Sequence, residues 1–359
     1  MENILYIGEK ILSPSSGMQY VNWRNIELLK IVYDKNFHIY PIAGKGTIPT
    51  LINSFTGNLA GIDKKTCKNI ISIIHLKKIE LVFLSSSRLG KLASLIKRNN
   101  PTIKIITFYH NIEKNYSTEE YRVNPTLKNW YLKQVIIYNE KLIIKHSDYN
   151  IVLNERDSKE LYKIYNKKPD LILPTTFYDN YDENKKKECK IETKEFRMLF
   201  VGSAFFANIE GLNWFIKNVF PYIHNCKLTI VGKGMDKCFK SKDNIKVIGF
   251  VDDLSTFYYN TDIVISPIFS GSGMKTKTAE ALMYGCPIIG TKEAFEGYNI
   301  NYHKIGGCIH NEVDMRHIIS NLQKTKERLK EMSDYAREVF MEEFSIQKSI
   351  SLYSNWIKK

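Results

Sequence analysis

Short apolar runs alternate with longer helix-like stretches along almost the whole chain, and this alternation restricts the fold more than any other feature. The runs lack regular polar residues, as expected for strands buried on both faces. Repeated strand–helix alternation predicts a parallel, doubly wound α/β sheet. In the first half we predict strands at Asn3–Gly8, His38–Ala43, Glu80–Ser85, Ile103–Tyr109, Tyr149–Asn154 and Leu171–Pro174.

The alternation stops once and then restarts, which indicates two domains. The interruption, 179–195, is charged and nearly free of large apolar residues, so we predict a linker there. The second series of strands is predicted at Met198–Gly202, Lys227–Gly232, Ile245–Phe250, Asp262–Pro267, Pro287–Thr291 and Lys304–His310. The predicted domains are 1–178 and 196–340, and a length of 359 residues suits two domains.

The helix-like stretches complete this plan. They are predicted at Met18–Tyr33, Lys65–Lys78, Arg88–Asn99, Pro125–His146, Glu155–Tyr165, Ile209–Ile223, Leu254–Asn260, Lys275–Tyr284 and Glu312–Phe340. The last segment, 341–359, is predicted as a helix that caps the second domain or packs back on the first. Two such α/β units in tandem predict a ligand-binding cleft between the carboxyl ends of their sheets.

Composition excludes several classes of protein. The chain is 43% hydrophobic and 25% charged, which is typical of a soluble globular protein. It opens with an acid at position 2 rather than a basic signal peptide, and no apolar run approaches the roughly 18 residues of a membrane span. We therefore expect a cytoplasmic protein. The six cysteines form no C-x-x-C pair and no zinc-site spacing, so we expect reduced thiols.

The formal net charge is +14, which favours anionic partners such as nucleic acid, an acidic membrane or phosphorylated small molecules. The lysines are dispersed rather than gathered with aromatic residues into a stripe, so we expect no nucleic-acid partner. The stretch 129–145 mixes aromatic and aliphatic residues with lysines. It could contact an anionic membrane carrying a lipid-linked glycan, or it could be an ordinary packed helix.

The segment from Phe269 to Gly285 carries the strongest functional signal. A strand ends at Pro267, a loop with Gly271 and Gly273 follows, and a helix begins near Lys275. Glycines allow close backbone approach, and a helix start attracts anions such as a diphosphate. Lysines in a first helical turn oppose the helix dipole, so Lys275 and Lys277 suggest an anionic ligand; a turn with solvated lysines is the alternative.

One turn beyond Lys277, the carboxylate of Glu280 could accept hydrogen bonds from the two vicinal hydroxyls of a ribose. A surface glutamate paired with a nearby lysine is the alternative interpretation. A nicotinamide-binding site is disfavoured, because Gly232-Lys233-Gly234 lacks the third glycine of the dinucleotide motif. Gly44-Lys45-Gly46-Thr47 likewise lacks the order of a Walker loop.

The whole segment resembles the loop and helix of retaining glycosyltransferases of family four, which have the GT-B architecture of two Rossmann-like domains. The matching run is Gly271-Ser272-Gly273-Met274-Lys275-Thr276-Lys277-Thr278-Ala279-Glu280-Ala281, followed by Gly285-Cys286-Pro287-Ile288-Ile289. Phe200-Val201-Gly202-Ser203, Leu228–Gly234, Ile248–Leu254, Ser13–Gly17 and Tyr109-His110-Asn111-Ile112-Glu113 resemble other family segments in order and spacing.

The resemblance implies a metal-independent hexosyltransferase that uses a nucleoside-diphosphate sugar, UDP- or GDP-linked, and retains the anomeric configuration. The acceptor would be a glycan or lipid-linked glycan in bacterial surface polysaccharide synthesis, at the cytoplasmic face of the inner membrane. Implied catalytic residues are His110, Lys277 and Glu280. Implied donor-binding residues are Gly17, Gly202, Ser203, Val251, Gly271, Ser272, Gly273, Met274, Lys275, Thr276, Lys277 and Glu280.

Two departures from the family pattern bear on the mechanism. Many members carry an earlier glutamate that is separated from the ribose-binding one by seven residues, and this chain has Ser272 at that position. Many also place an arginine or lysine after the strand that ends at Gly202, whereas Ser203–Gly211 has neither. A GT-B sugar-nucleotide epimerase and a catalytically inactive sugar-nucleotide-binding paralogue are therefore retained as alternatives.

Overall fold

The structure is a computed structural model that describes residues 2–9, 11, 17–43, 47–189, 193–271 and 273–358, without the side chains of residues 47–50 and 326. The chain divides into two compact units. The first contains the residues up to Pro174 and those from Ser349 onward, and the second is Thr175–Lys348. The segment 179–195, predicted as a linker, thus falls within the second unit.

The first unit is a six-stranded parallel sheet with flanking helices. Its strands are β1 (Ile4–Glu9), β2 (Phe37–Ile42), β3 (Leu81–Leu84), β4 (Lys104–Tyr109), β5 (Tyr149–Val152) and β6 (Leu171–Ile172), in the order β2-β1-β3-β4-β5-β6. Its helices are α1 (Gly17–Tyr33), α2 (Thr47–Ser54), α3 (Lys64–Leu76), α4 (Gly90–Asn99), α5 (Glu113–Val123), α6 (Leu127–His146) and α7 (Glu155–Tyr165).

The second unit repeats the plan with a different strand order. Its strands are β7 (Phe196–Val201), β8 (Cys226–Val231), β9 (Ile245–Ile248), β10 (Ile263–Ser266), β11 (Ile288–Thr291) and β12 (Gly306–Ile309), in the order β12-β11-β10-β7-β8-β9. Its helices are α8 (Glu183–Cys189), α9 (Phe206–Asn218), α10 (Met235–Cys238), α11 (Ser255–Tyr259), α12 (Thr276–Met283), α13 (Glu312–Leu322) and α14 (Lys326–Val339).

Both sheets are parallel throughout the described strands, so the predicted fold class of two doubly wound α/β units is confirmed. The apolar runs are buried as expected: β3 and β10 have no exposed position. Helices on both faces exclude water, which is why these strands tolerate no polar alternation. Each sheet lies within a large apolar cluster of its own unit.

The strand order of the second sheet indicates where a ligand site is expected. The order in which strands are added reverses between the parallel neighbours β7 and β10. Strands β8 and β9 extend the sheet beyond β7, whereas β11 and β12 extend it beyond β10. At such a switch point the loops leaving the carboxyl ends of the two strands separate, and a crevice opens between them. Gly202 follows β7, and the segment from Pro267 to Lys275 follows β10.

Four helices were not predicted, namely α2, α5, α8 and α10, and the predicted helix over 312–340 is two helices, α13 and α14. Helix α8 buries no residue and is supported by Asp182, whose Oδ1 accepts from the amides of Asn184 and Lys185. Helix α5 is capped from a distance, because the Glu140 carboxylate accepts from the amides of Glu113 and Lys114. Neither arrangement produces an apolar periodicity.

The C-terminal helix α15 (Ile346–Ile357) contributes to the first unit from Ser349 onward. The hydroxyls of Tyr353 and Tyr33 lie 3.2 Å apart, and the Trp356 ring packs edge-on against Tyr149. Among the described residues, no helix combines the length and hydropathy needed to cross a bilayer. All six cysteines are free thiols.

Gly211 holds α9 close to the loop after β10, and its replacement should destabilise the second unit. A Cβ at this position would lie 1.8 Å from the carbonyl oxygen of Pro267, so the helix would have to move. We expect Gly211→Ala to lower the free energy of unfolding by about 2–3 kcal/mol, the usual cost of overpacking. Denaturant unfolding measures this, with the exposed Asn213→Ala on the same helix as the control; equal stability of the two variants would contradict the predicted close contact.

Candidate functional site

The loop between β10 and α12 has the backbone that its glycines allow. Gly271 has φ +125° and Gly273 has φ +66°, both in the region that favours glycine. Helix α12 begins at Thr276, one residue later than predicted, and Lys275 occupies the N-cap position without a side-chain capping bond. The N-terminus of α12 therefore lacks a side-chain cap from its N-cap residue.

Two backbone donors at the start of α12 have no acceptor among the described residues. The amide of Thr278 donates to the Lys275 carbonyl at 3.0 Å, and that of Ala279 donates to the Tyr298 hydroxyl at 3.2 Å. The amides of Thr276 and Lys277 make no such bond. Free first-turn N–H groups, together with the helix dipole, attract an anion.

The ammonium group of Lys277 lies at the switch point. Its Nζ donates to Oδ1 of Asn208 at 2.6 Å and sits 4.5 Å from the centre of the Phe200 ring. A Cβ on Gly202 would be only 3.0 Å from this Nζ, so the missing side chain of Gly202 makes room for it. Lys277 thus joins the loops after β7 and β10.

The charge of Lys277 is not neutralised by a carboxylate: among the described residues it forms no ion pair. Burial above all, together with the nearby positive charge of Lys275, lowers the pKa of Lys277 to about 7, and the charge of Glu280 partly opposes both effects. A cation held in this way gains energy when an anion arrives, because the anion restores the charged form.

Lys275, by contrast, already has an anionic partner in the protein. Its Nζ lies 2.7 Å from Oε1 of Glu293 and donates to the Gly273 carbonyl at 3.0 Å. Both side chains of the pair are largely buried, at 11% and 20% exposure. Both lysines were predicted to face an anionic ligand. In the structure Lys275 also has a protein carboxylate as a partner, and this ion pair ties the loop to Glu293. The donor-binding role of Lys275 stays a prediction.

Glu280 is half-buried on α12, and Tyr258 orients it. The Tyr258 hydroxyl donates to Oε2 of Glu280 at 3.0 Å, and Tyr258 itself is 1% exposed. Burial raises the pKa of Glu280 to about 7, opposed by the bond from Tyr258 and the charge of Lys277. Glu280 forms no ion pair among the described residues, so the alternative of a surface glutamate paired with a lysine does not describe it.

The other predicted donor-binding residues of the second unit surround this group or lie at its margin. The Ser203 carbonyl accepts from Nδ2 of Asn208 at 2.8 Å, and Met274 is buried at 7% exposure. Thr276 is half-buried at the first position of α12. Val251 is half-buried in the loop between β9 and α11. Ser272 lies outside the described residues.

Two predicted site residues, Gly17 and His110, belong to the first unit. Gly17 is the first residue of α1. His110 follows β4 and is only 8% exposed; its Nε2 lies 2.9 Å from Oδ1 of Asn22, and its ring packs edge-on against Phe108. Burial above all, with the charges of Arg24 and Arg88, lowers the pKa of His110 to about 3, against a hydrogen bond to the Ser85 backbone. The imidazole is therefore neutral at neutral pH.

His110 should make the protein sensitive to acid. Its pKa is lower in the folded than in the unfolded chain, so the unfolded state takes up a proton first, and stability falls as the pH drops from about 6.5 towards 3. The loss should amount to about 2–4 kcal/mol. Thermal unfolding between pH 7 and 4 measures it: His110→Gln should lose less stability over this range than the parent, and parallel curves would contradict the prediction.

Three residues of the site were not found from sequence: Asn208, Tyr258 and Glu293. Each reaches the loop–helix segment from a separate part of the chain, 69, 22 and 18 residues from its partner. One sequence signal pointed to Asn208: it is a polar residue in the first turn of α9, in the segment after Gly202 where many family members carry an arginine or lysine. Tyr258 had none, because an aromatic residue in an apolar run is ordinarily interpreted as core.

Residues 195–324 match the family model described as Glycosyl transferases group 1. This part of the chain is therefore similar to a group 1 glycosyltransferase domain. It contains Lys277, Glu280, Gly202 and Asn208. The similarity is independent of the geometry described above.

Similar proteins extend the comparison to the whole chain. A crystal structure of Anabaena Alr3699/HepE in complex with UDP and glucose has a TM-score of 0.71 at 11% identity, covering 100% of both chains. Sucrose-phosphate synthase from Thermosynechococcus elongatus has a TM-score of 0.74 at 13% identity, covering 100% of this chain and 98% of that one. These likenesses show that the chain has the GT-B fold.

A curated relative is known only by its genetic context. An uncharacterized 44.6 kDa protein in the cps region of Klebsiella pneumoniae is 26% identical over 180 residues. The match covers 45% of this chain and 46% of that protein. The chain therefore spans about half the length of this relative in the alignment.

Proposed function

We propose that the chain is a glycosyltransferase that binds a nucleoside-diphosphate sugar, UDP- or GDP-linked, and transfers the sugar to a glycan or lipid-linked glycan. The observation that carries the proposal is Lys277: a cation without a carboxylate partner, beside two free helix amides, at the switch point of a group 1 domain. A diphosphate supplies the negative charge and the acceptor oxygens that this arrangement leaves unsatisfied.

In the proposed reaction, negative charge develops on the departing β-phosphate as the bond to the anomeric carbon breaks. Preorganised donors at that point lower the barrier, because they are already oriented when the charge forms. The ammonium of Lys277 and the amides of Thr276 and Lys277 would be these donors. Since the pKa of Lys277 is about 7 before binding, we expect the protein to take up protons as the diphosphate binds.

Glu280 would hold the ribose of the donor. As a carboxylate it can accept from two vicinal hydroxyls, and the bond from Tyr258 engages only Oε2. Burial that raises the pKa of Glu280 also strengthens its hydrogen bonds to a ligand, because little water competes for the oxygen atoms.

For stereochemistry we propose retention by a front-face route, in which the departing phosphate assists the incoming acceptor. The family resemblance supports retention, and among the described residues of the candidate site we find no carboxylate suited to be a nucleophile. Metal independence is also a proposal. It is supported by Asp253, which is engaged by Lys185 at 2.6 Å and by the Ser255 amide at 2.8 Å, and by the lack of an Asp-x-Asp pair at Asp252-Asp253.

The place of action is proposed as the cytoplasmic face of a membrane during surface polysaccharide synthesis, in line with the cps-region relative. The outer face of α6 supports this: Leu127 and Trp130 are 88% and 49% exposed, and Lys141 and Lys145 continue the same face. Flotation with phosphatidylglycerol vesicles tests the contact, which should weaken several-fold in Leu127→Ala/Trp130→Ala. No dependence on anionic lipid would remove the membrane from the proposal.

A thermal-shift screen against UDP, GDP, ADP and their common sugar conjugates tests the function directly. A ligand at 100 times its Kd raises stability by about 2.7 kcal/mol, which shifts the melting temperature measurably. Stabilisation by one nucleotide and its sugar conjugates, followed by acceptor-dependent release of that nucleotide, is the expected result. Release of an altered sugar without an acceptor would indicate an epimerase, and binding without turnover an inactive paralogue; no stabilisation by any of them would contradict the proposal.

A further inference from the structure

A cavity of about 370 Å³ opens on the first unit, partly lined by α6 and away from the residues around Lys277 and Glu280. It lies between the turn that follows α2, the start of α4 and the middle of α6. Its volume is in the range of sites for small ligands, roughly 300–1,000 Å³. Its principal side chains are Phe55, Thr56, Lys91, Tyr131, Gln134 and Tyr138.

The floor of this cavity is fixed by a buried amide. Asn139 is 0% exposed; its Oδ1 accepts from the Lys91 amide at 2.9 Å, and its Nδ2 donates to the Gly57 carbonyl at 3.0 Å. A Cβ on Gly90 would lie 1.9 Å from the Asn139 carbonyl oxygen, so α4 and α6 are in the closest possible contact there. One satisfied side chain thus holds all three elements that form the cavity, which gives it a defined shape.

The rim of the cavity carries aromatic rings that the protein does not bury. Phe55 is 72% exposed and Tyr138 is 47% exposed, and the Phe55 ring lies 5.3 Å from that of Tyr131. Exposed rings of this size are costly in contact with water and mark a binding surface when they gather in one place. Gln134 adds a hydrogen-bonding group to the lining, whereas the Thr56 hydroxyl already donates to the Asn53 carbonyl and accepts from Asn58.

The charge of the cavity is one-sided. Lys91 is exposed and forms no ion pair among the described residues, and the lining contains no aspartate or glutamate. A ligand with a flat apolar face, several hydroxyls and one negative group would use every part of this lining. An acyl chain would leave Lys91 and Gln134 without partners.

We propose that this cavity binds one sugar residue of an acidic glycan, with its apolar face on the aromatic rim and its carboxylate or other acidic group at Lys91. This proposal rests on the proposed function, because it assumes that the acceptor is a glycan. It defines that acceptor as one carrying uronic acid or a similarly anionic sugar.

Saturation-transfer NMR on the full chain tests this with methyl β-D-glucuronide and, as the neutral probe, methyl β-D-glucoside. We expect transfer to the glucuronide, at least a fivefold loss of its affinity in Lys91→Ala, and a loss for both sugars in Phe55→Ala. Lys104 is exposed at the start of β4, and the control variant Lys104→Ala should bind both sugars as the parent does. Nucleotide-induced thermal shifts should be equal in all four proteins.

The outcomes separate this proposal from the proposed function. Cavity-dependent glucuronide binding without any nucleotide binding would uphold the sugar site and refute the transferase. Absence of saturation transfer to the glucuronide, or transfer unchanged by both Lys91→Ala and Phe55→Ala, would overturn the sugar site. It would also be overturned if the parent bound phosphatidylglycerol vesicles but no sugar, and both variants lost the vesicles.

Discussion

Replacing Lys277 with methionine should weaken binding of the nucleoside diphosphate by about 10- to 100-fold without destabilising the protein. The loss in affinity follows from removing a charge-assisted hydrogen bond to phosphate, worth about 1.5–3 kcal/mol. The stability is expected to be equal or higher. The pKa of Lys277 is lowered to about 7 in the folded chain. At a pH below the ordinary pKa of lysine, the charged form is therefore less favourable in the folded than in the unfolded chain, and methionine avoids this cost.

Lys275→Met is the matched control, because it removes a lysine two residues away whose charge is already paired. Its loss leaves the carboxylate of Glu293, 20% exposed, without its partner at 2.7 Å. We expect this variant to lose about 1–3 kcal/mol of stability and to lose less nucleotide affinity than Lys277→Met. Isothermal titration and thermal unfolding measure both quantities, and the reverse ranking of the two variants would contradict the assignment of Lys277.

Replacing Glu280 with glutamine should trade binding for stability. The amide cannot accept from two ribose hydroxyls as the carboxylate does, so affinity for the nucleotide should fall by about 10-fold or more. At pH 8 the same change should stabilise the protein by about 1–2 kcal/mol, because the pKa of Glu280 is raised to about 7 and its charge is held at a cost.

The stability gained in Glu280→Gln should depend on pH. A carboxyl group whose folded pKa is about 7 and whose ordinary value is 4.5 destabilises the folded chain fully above pH 7 and not at all below pH 4.5. The gain in melting temperature of Glu280→Gln over the parent should therefore be present at pH 8 and vanish towards pH 4.5. A gain that is constant with pH, or a loss at pH 8, would show that Glu280 is an ordinary structural carboxylate.

Much of the fold followed from the sequence because buried parallel strands have a clear signature. Continuous runs such as Leu81–Leu84 and Ile263–Ser266 are apolar since both faces are covered, and their positions were predicted to within one or two residues. Helices stabilised by polar contacts were missed for the complementary reason. The cap that Glu140 provides to α5 joins residues 26 and 27 positions apart, which no local pattern reveals.

The candidate site was predictable only in part. The glycines and lysines of the β10–α12 loop were found because their spacing is local and their chemistry is unusual for a helix start. The difference between the two lysines was not, since it depends on Glu293 and Asn208, which arrive from other elements. Similarly, His110 was assigned toward the substrate from its motif, whereas its burial and its contact with Asn22 emerge only in three dimensions.

A crystal structure of the full chain with UDP bound would test the central claim most directly. We expect the diphosphate to lie within hydrogen-bond distance of Lys277 Nζ and of the amides of Thr276 and Lys277. We also expect the ribose hydroxyls to donate to the Glu280 carboxylate, with the Lys275–Glu293 pair intact. UDP bound at another place, or bound at the switch point with its phosphates turned away from Lys277, would contradict it.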